Sequence, residues 1–221
     1  MPTHLPPDEI LVDFACGTSS PDIELLVAAH LTQSPEGRDR LGTYEGMAGA
    51  MFAEEPSEDV SDDAFDAVMS LIDQDGSAGQ IDAAGLRQID VAQTNVCPIP
   101  KPVMDRIGYR FDEIPWKRRL PGIAVFDLDL GAEHKVRLLR ARPGASVPQH
   151  THHGTELTLV MHGELEDSGV TYRAGDVAVN AEDDDHRPSA TGTETCYCLV
   201  VQQGDLQFTG RFSRILNYIG E

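Results

Sequence analysis

Apolar residues recur at helical spacing over the first 75 residues of the chain. The first such face opens at Pro6 and ends at Gly17. Two further helices are expected after Ser20 and Ser34, because each serine suits an N-cap and the proline that follows it suits the first helical position. A fourth apolar face covers about residues 60–72. The pattern predicts a small bundle of three or four helices.

After Pro100 the period of the apolar positions changes to two, which is typical of strands with one buried face. Turns that contain glycine separate these segments, which favours an antiparallel barrel or sandwich. The segments span residues 123–130, 134–141, 156–165, 176–180 and 195–201. We therefore predict two domains: an all-α bundle over residues 1–75, a linker of weak pattern over 76–97, and an all-β domain over 98–221.

Negative charge is concentrated in the helical segment. The whole chain carries a net charge of −20, and residues 1–75 hold seventeen Asp and Glu against Arg38 and Arg40 alone, a net of −15. Direct binding to nucleic acid is disfavoured, because neutralising phosphates needs clustered Lys and Arg. A basic protein partner for the helices is the natural electrostatic complement.

No apolar run approaches the roughly 20 residues of a membrane span. The first residues also lack the basic start and apolar stretch of a secretion signal. We expect a cytoplasmic protein without a membrane span, in which the four cysteines are reduced.

The strongest chemical signal is a run of the form G-x5-H-x-H-x3-E-x6-G between Gly144 and Gly163. Its histidines, His150 and His152, are two residues apart and so share one face of a strand. Its carboxylate, Glu156, begins an apolar strand, where it would be costly unless paired or bound to a metal. The run resembles the first motif of a cupin barrel.

A second run, from Gly175 to His186, has the spacing of the second cupin motif, although Ala181 and Asp183 stand where that motif usually has proline and glycine. Three histidines and one carboxylate suit Zn, Fe, Mn or Ni. The predicted ligands of one divalent transition metal, zinc foremost, are His150, His152, Glu156 and His186. A chance cluster of surface histidines is the competing explanation, and the four residues in register weigh against it.

Two further histidines and two cysteines of the β domain are interpreted as structural residues. His134 and His162 are expected to face solvent from strands. Cys196 and Cys198 are expected to be small apolar filler of a buried strand, since adjacent positions on one face would strain a disulfide. No catalytic residue is assigned.

At this point the chain resembles the ChrR-type anti-sigma factors, which join a helical anti-sigma domain to a C-terminal cupin, a double-stranded β-helix or jelly roll. HTHHGTELTLVMHGEL, YRAGD and CYCLV carry the resemblance in the β domain, and DEILVDFACGT and ELLVAAHLTQSPEGR carry it in the helices. It is strong over residues 116–213 and moderate over 4–52.

The resemblance implies a transcriptional regulator whose acidic N-terminal helices hold an ECF-type sigma factor inactive and release it under oxidative or photo-oxidative stress. The cupin would be the sensing domain. The family also binds zinc in its helical domain through two histidines and two cysteines. His4 and His30 occupy the histidine positions, but Ser34 and Gly37 occupy the cysteine positions, so we expect that zinc site to be absent or much weakened.

Two alternatives stay open. The chain could be a metal-dependent cupin enzyme, such as a dioxygenase, with a helical N-terminal extension. It could also be a cupin regulator that kept the bundle and lost its sigma partner. Cupins often pair edge strands, and the sequence leaves a homodimer open as well.

Overall fold

The computed structural model describes residues 2–57, 59–74, 97–182 and 184–210. Within these ranges, four helices precede the β domain, in line with the predicted three or four, and a fifth leads into it. Their bounds are α1 Asp8–Ala15, α2 Pro21–Gln33, α3 Pro35–Phe52, α4 Ala64–Gln74 and α5 Lys101–Ile107. Across these described ranges, no helix is long and apolar enough to cross a membrane.

Serine and proline set the boundaries of the second and third helices. Ser20 is the N-cap of α2, with Pro21 at its first position. Ser34 separates α2 from α3, and its hydroxyl accepts a hydrogen bond of 2.9 Å from the backbone N–H of Gly37. That bond satisfies one of the N–H groups that a helix start leaves without an intrahelical partner.

The β domain contains eleven short strands in its described part, and every pairing is antiparallel. They are β1 Lys117–Leu120, β2 Ile123–Leu128, β3 Lys135–Ala141, β4 His150–His152, β5 Glu156–His162, β6 Glu164–Asp167, β7 Val170–Arg173, β8 Val177–Asn180, β9 Ser189–Thr191, β10 Cys196–Gln202 and β11 Leu206–Phe208. The larger sheet has the order β1-β2-β3-β10-β5-β8, and the smaller ones are β11-β4 and β7-β6-β9.

Strand alternation divides the apolar residues into two cores. On β5, Leu157, Leu159 and Met161 lie in a core that also contains residues of α2 and α5. Val160 points the other way and packs with Cys198 in a second cluster inside the barrel. The predicted barrel is therefore present, with helices covering one outer face of its large sheet.

The N-terminal chain also covers the free edge of β8. The backbone N–H of Val177 donates to the carbonyl oxygen of His4 at 2.9 Å. The N–H of His4 in turn donates to the carboxylate of Asp176 at 2.8 Å. A covered edge cannot pair with another chain, so this contact protects one end of the sheet.

The chain divides into two compact units, one of residues 1–49 with 97–221 and one of residues 50–96. Residues 1–49 group with the barrel because Leu25, Leu26 and Ala29 of α2 share its outer core. The predicted domain boundary at residue 75 stays a prediction. The predicted linker at 76–97 lies outside the described residues, apart from Cys97.

Candidate metal centre

The predicted ligands lie on two strands and one loop of the barrel. His150 and His152 are the ends of the short strand β4, and Glu156 begins β5. His186 lies in the loop before β9 and pairs with His150 through two backbone hydrogen bonds of 3.0 Å. This bridge sets the two imidazole centroids 4.3 Å apart.

Three of the four predicted ligands meet closely. Each of His150, Glu156 and His186 offers a ligand atom, and these atoms lie within 4.8 Å of one another. His152 lies outside this group, with its ring centroid 5.5 Å from that of His186. All four side chains are buried.

Hydrogen bonds donated by the Nδ1 atoms orient the three imidazoles. His150 Nδ1 lies 2.8 Å from the carbonyl oxygen of Pro148, and His152 Nδ1 lies 2.8 Å from that of Gly154. His186 Nδ1 lies 2.8 Å from the carboxylate of Asp167. Because each neighbour is an acceptor, each Nδ1 carries the proton, which leaves the lone pair on Nε2.

Those Nε2 atoms are suited to a metal. Within the described part of the chain, Nε2 of His152 and Nε2 of His186 are buried without a hydrogen-bond partner. A buried polar atom without a partner is costly, and coordination to a cation removes that cost. Neutral imidazoles and a carboxylate fit a divalent transition metal.

The electrostatics agree with this donor set. Burial lowers the pKa of His150 to about 4, which keeps its ring neutral and able to donate a lone pair. Burial raises the pKa of Glu156, against the opposing charges of His186 and His152. Burial alone would lower the pKa of His186, but its hydrogen bond to Asp167 raises it. A divalent cation would compensate the buried charge of Glu156.

Two other predictions about the β domain have different outcomes. His134 was expected to face solvent, and that expectation is wrong: its Nδ1 contacts the buried carboxylate of Asp22 on α2. Cys196 and Cys198 are fully buried in the inner apolar cluster, with sulfur atoms 3.5 Å apart and both thiols free. Filler of the barrel interior accounts for both cysteines.

Sequence reasoning missed Asp167 and Asn180. Asp167 ends β6 and is buried, and Asn180 ends β8 directly opposite Glu156. The segment around Asp167, ELED, reads as a solvated strand end. A polar residue at the end of DVAVN was the only signal for Asn180.

Two of the four N-terminal positions, Ser34 and Gly37, cannot supply the thiolates of a second metal site. His30 is fully buried and its Nδ1 donates to the carbonyl oxygen of Gly175 at 2.7 Å. A Cβ at Gly37 would lie 2.4 Å from His30 Nε2, so the imidazole fills the space that a side chain there would need. His4 packs instead on the ring of Tyr172. With neither thiolate present, these residues form packing and hydrogen-bond contacts.

Comparison with known proteins agrees with this architecture. Residues 104–206 match the model of the ChrR cupin-like domain family. The chain is 30% identical over 214 residues to the anti-sigma-E factor ChrR of Cereibacter sphaeroides, covering 96% of this chain and 95% of that protein. It also matches a chain in the crystal structure of Rhodobacter sphaeroides SigE in complex with the anti-sigma ChrR, with 28% identity, a TM-score of 0.74, and coverage of 92% of this chain and 100% of that chain.

Proposed function

The chain belongs to the ChrR family of anti-sigma factors, and we propose from this that it binds an ECF-type sigma factor and holds it inactive. Residues of the second compact unit support this proposal most directly. Helix α4 has an apolar face at positions i, i+3, i+4 and i+7 that is exposed over its whole length. It consists of Phe65, Val68, Met69 and Ile72, which are 73%, 55%, 41% and 59% exposed.

An exposed face of this size is typical of a protein contact. Burying each such side chain contributes about 1.5–3 kcal/mol, so a helix that leaves four in water gains most from a partner. An amphipathic helix that lies in a groove presents residues at this spacing. The acidic charge of the N-terminal sequence, −15 over residues 1–75, favours a partner with a basic surface.

A sigma factor has the required basic surface, because it must bind promoter DNA. An acidic helical partner competes for those basic surfaces by charge. The same charge argues against direct contact of this chain with nucleic acid. A sigma factor acts where transcription occurs, so we place the chain in the cytoplasm.

For the cupin we propose one divalent transition metal, with zinc as the first choice. His150, Glu156 and His186 would hold it, and His152 would complete the set by a small movement of its ring toward the others. The observation that supports this is the convergence of buried Nε2 atoms on a buried carboxylate. The bound metal would supply stability and a coordination shell that a stress signal can alter, which makes the cupin the sensing domain.

Binding to candidate ECF-type sigma factors tests the partner proposal. Val68→Ser with Ile72→Ser removes two side chains from the exposed face of α4. We expect the complex to weaken on the order of 30-fold or more, since even partial burial of the two side chains would contribute at least about 2 kcal/mol, which the variant loses.

Leu71→Ser is the matched control. Leu71 is on the same helix and 65% exposed, but it lies roughly a third of a turn from the centre of the apolar face. It should bind like the unmodified chain. Equal weakening in the control and the double variant would remove this face from the interface, and a metabolite turned over by the purified chain would favour the enzymatic alternative.

A further inference from the structure

Asp167 is a buried carboxylate outside the predicted ligand set. It ends β6, is 3% exposed, and has its Oδ2 atom 2.8 Å from His186 Nδ1 and 3.2 Å from Asn180 Nδ2. Ser168 Oγ lies 3.4 Å from its other oxygen. Withdrawing a carboxylate from water is costly, and these donors offset that cost only in the geometry observed.

His186 differs from the other two histidines in its Nδ1 partner. His150 and His152 each donate to a backbone carbonyl two residues away in the sequence. His186 donates to the side chain of Asp167, nineteen residues away on another strand. A charged acceptor makes a stronger hydrogen bond than a carbonyl and fixes the tautomer with the lone pair on Nε2. That atom faces Glu156, with 4.0 Å between His186 Nε2 and Glu156 Oε1.

Asn180 connects the same carboxylate to the strand of the second ligand. Its backbone pairs with Glu156 between β8 and β5. Its amide N–H group donates to the Oδ2 atom that also accepts from His186. One oxygen of Asp167 therefore joins the His186 loop to the strand pair that carries Glu156.

We propose that Asp167 is a positioning residue for the metal centre: it holds His186 so that Nε2 points at the position shared with His150 and Glu156. The inference depends on the proposed metal function of these three residues. A histidine ligand held by a carboxylate is also a stronger electron donor to its metal, and loss of such a partner typically weakens metal binding about 10–100-fold.

Zinc affinity of the full chain tests the role, by competition with a chromophoric chelator and with Zn²⁺ alone as the probe. Asp167→Ala should weaken Zn²⁺ binding about 10–100-fold. Asp167→Asn keeps the shape and a hydrogen-bond acceptor but loses the charge. Its Zn²⁺ affinity should therefore lie between those of the unmodified chain and Asp167→Ala. Glu164→Gln is the control, because Glu164 lies on the same strand and pairs with Arg173 at the surface.

A purely structural role would give a different result. If Asp167 only stabilised the barrel, its variants would lower the melting temperature of the metal-free and the zinc-loaded protein equally. A positioning role lowers the increment that zinc adds, and it changes the visible spectrum of the Co²⁺-substituted protein, which reports the coordination geometry.

The outcomes separate this inference from the metal proposal. Tight Zn²⁺ binding that is lost in His150→Ala but unchanged within twofold in both Asp167 variants would overturn the positioning role and leave the metal site standing. A chain that binds no Zn²⁺, Fe²⁺, Mn²⁺ or Ni²⁺ at all would overturn both.

Discussion

Replacing His30 with alanine removes one of the side chains that join helix α2 to the barrel. His30 is fully buried, and its Nδ1 donates to the carbonyl oxygen of Gly175 at 2.7 Å. Loss of the donor leaves a buried carbonyl, which costs about 1–3 kcal/mol. The missing ring also leaves a cavity, and comparable truncations cost roughly 2–5 kcal/mol. The two costs do not simply add, because both come from one substitution and the neighbouring side chains move into part of the cavity. We expect the free energy of unfolding to fall by about 3 kcal/mol in total.

Urea denaturation measures this loss. Trp116, the only tryptophan, packs 6.1 Å from the Tyr197 ring and 5.1 Å from the Arg140 guanidinium, so its fluorescence reports unfolding of the barrel. A loss of about 3 kcal/mol should lower the melting temperature by roughly 6–12 °C in a domain of this size. His153→Ala is the control: its side chain is 70% exposed, and it should change stability by less than about 0.5 kcal/mol.

Metal content decides between packing and coordination at His30. The ring fills the space beside Gly37, and neither Ser34 nor Gly37 offers a thiolate to a metal at His30. His30→Ala should therefore keep the full metal content. A loss below about 1 kcal/mol, or the loss of one equivalent of zinc with the stability, would refute this account of the N-terminal contacts.

The remaining predictions concern pH and metal. Burial lowers the pKa of His30, so the unfolded chain binds a proton at this residue more readily than the folded chain does. The extra stability of the unmodified chain over His30→Gln should therefore be present above about pH 6.5 and be lost as the pH falls toward the lowered pKa. A stability difference that grows on acidification would contradict this. Elemental analysis should find about one equivalent of metal, absent in His150→Ala and retained in His4→Ala, since the convergent ligand atoms found among the described residues belong to the barrel. Chelation should lower the melting temperature of the unmodified chain and leave that of His150→Ala unchanged.

Sequence spacing was sufficient to predict that His150, Glu156 and His186 would lie close together, because the candidate ligands lie in short, regular segments. His150 and His152 share a strand face, and the glycines around them mark turns that a barrel requires. Gly163 also shows where the pattern misled: residues 156–165 were predicted as one strand. Gly163 has φ of 79° and a Cβ there would meet the Cys196 backbone at 2.9 Å, so the chain turns and β5 and β6 lie in different sheets.

The spacing of apolar residues could not predict contacts between segments that are distant in the sequence. An apolar stripe on α2 shows that the helix packs, but it does not show what it packs against. The pairing of Asp22 with His134 spans 112 residues, and that of Asp167 with His186 joins a strand end to a loop. Each polar residue reads as solvent-exposed in its local sequence, because the partner that makes its burial tolerable lies elsewhere in the chain.

Transcription from an ECF-dependent promoter with purified core polymerase tests the central claim most directly. Adding the chain at a one-to-one ratio to the partner sigma factor should abolish the transcript. The variant with Val68→Ser and Ile72→Ser should restore it, whereas Leu71→Ser should inhibit like the unmodified chain. The test is repeated with every ECF-type sigma factor that the same genome encodes. Full transcription with each of them in the presence of excess unmodified chain would contradict the assignment as an anti-sigma factor.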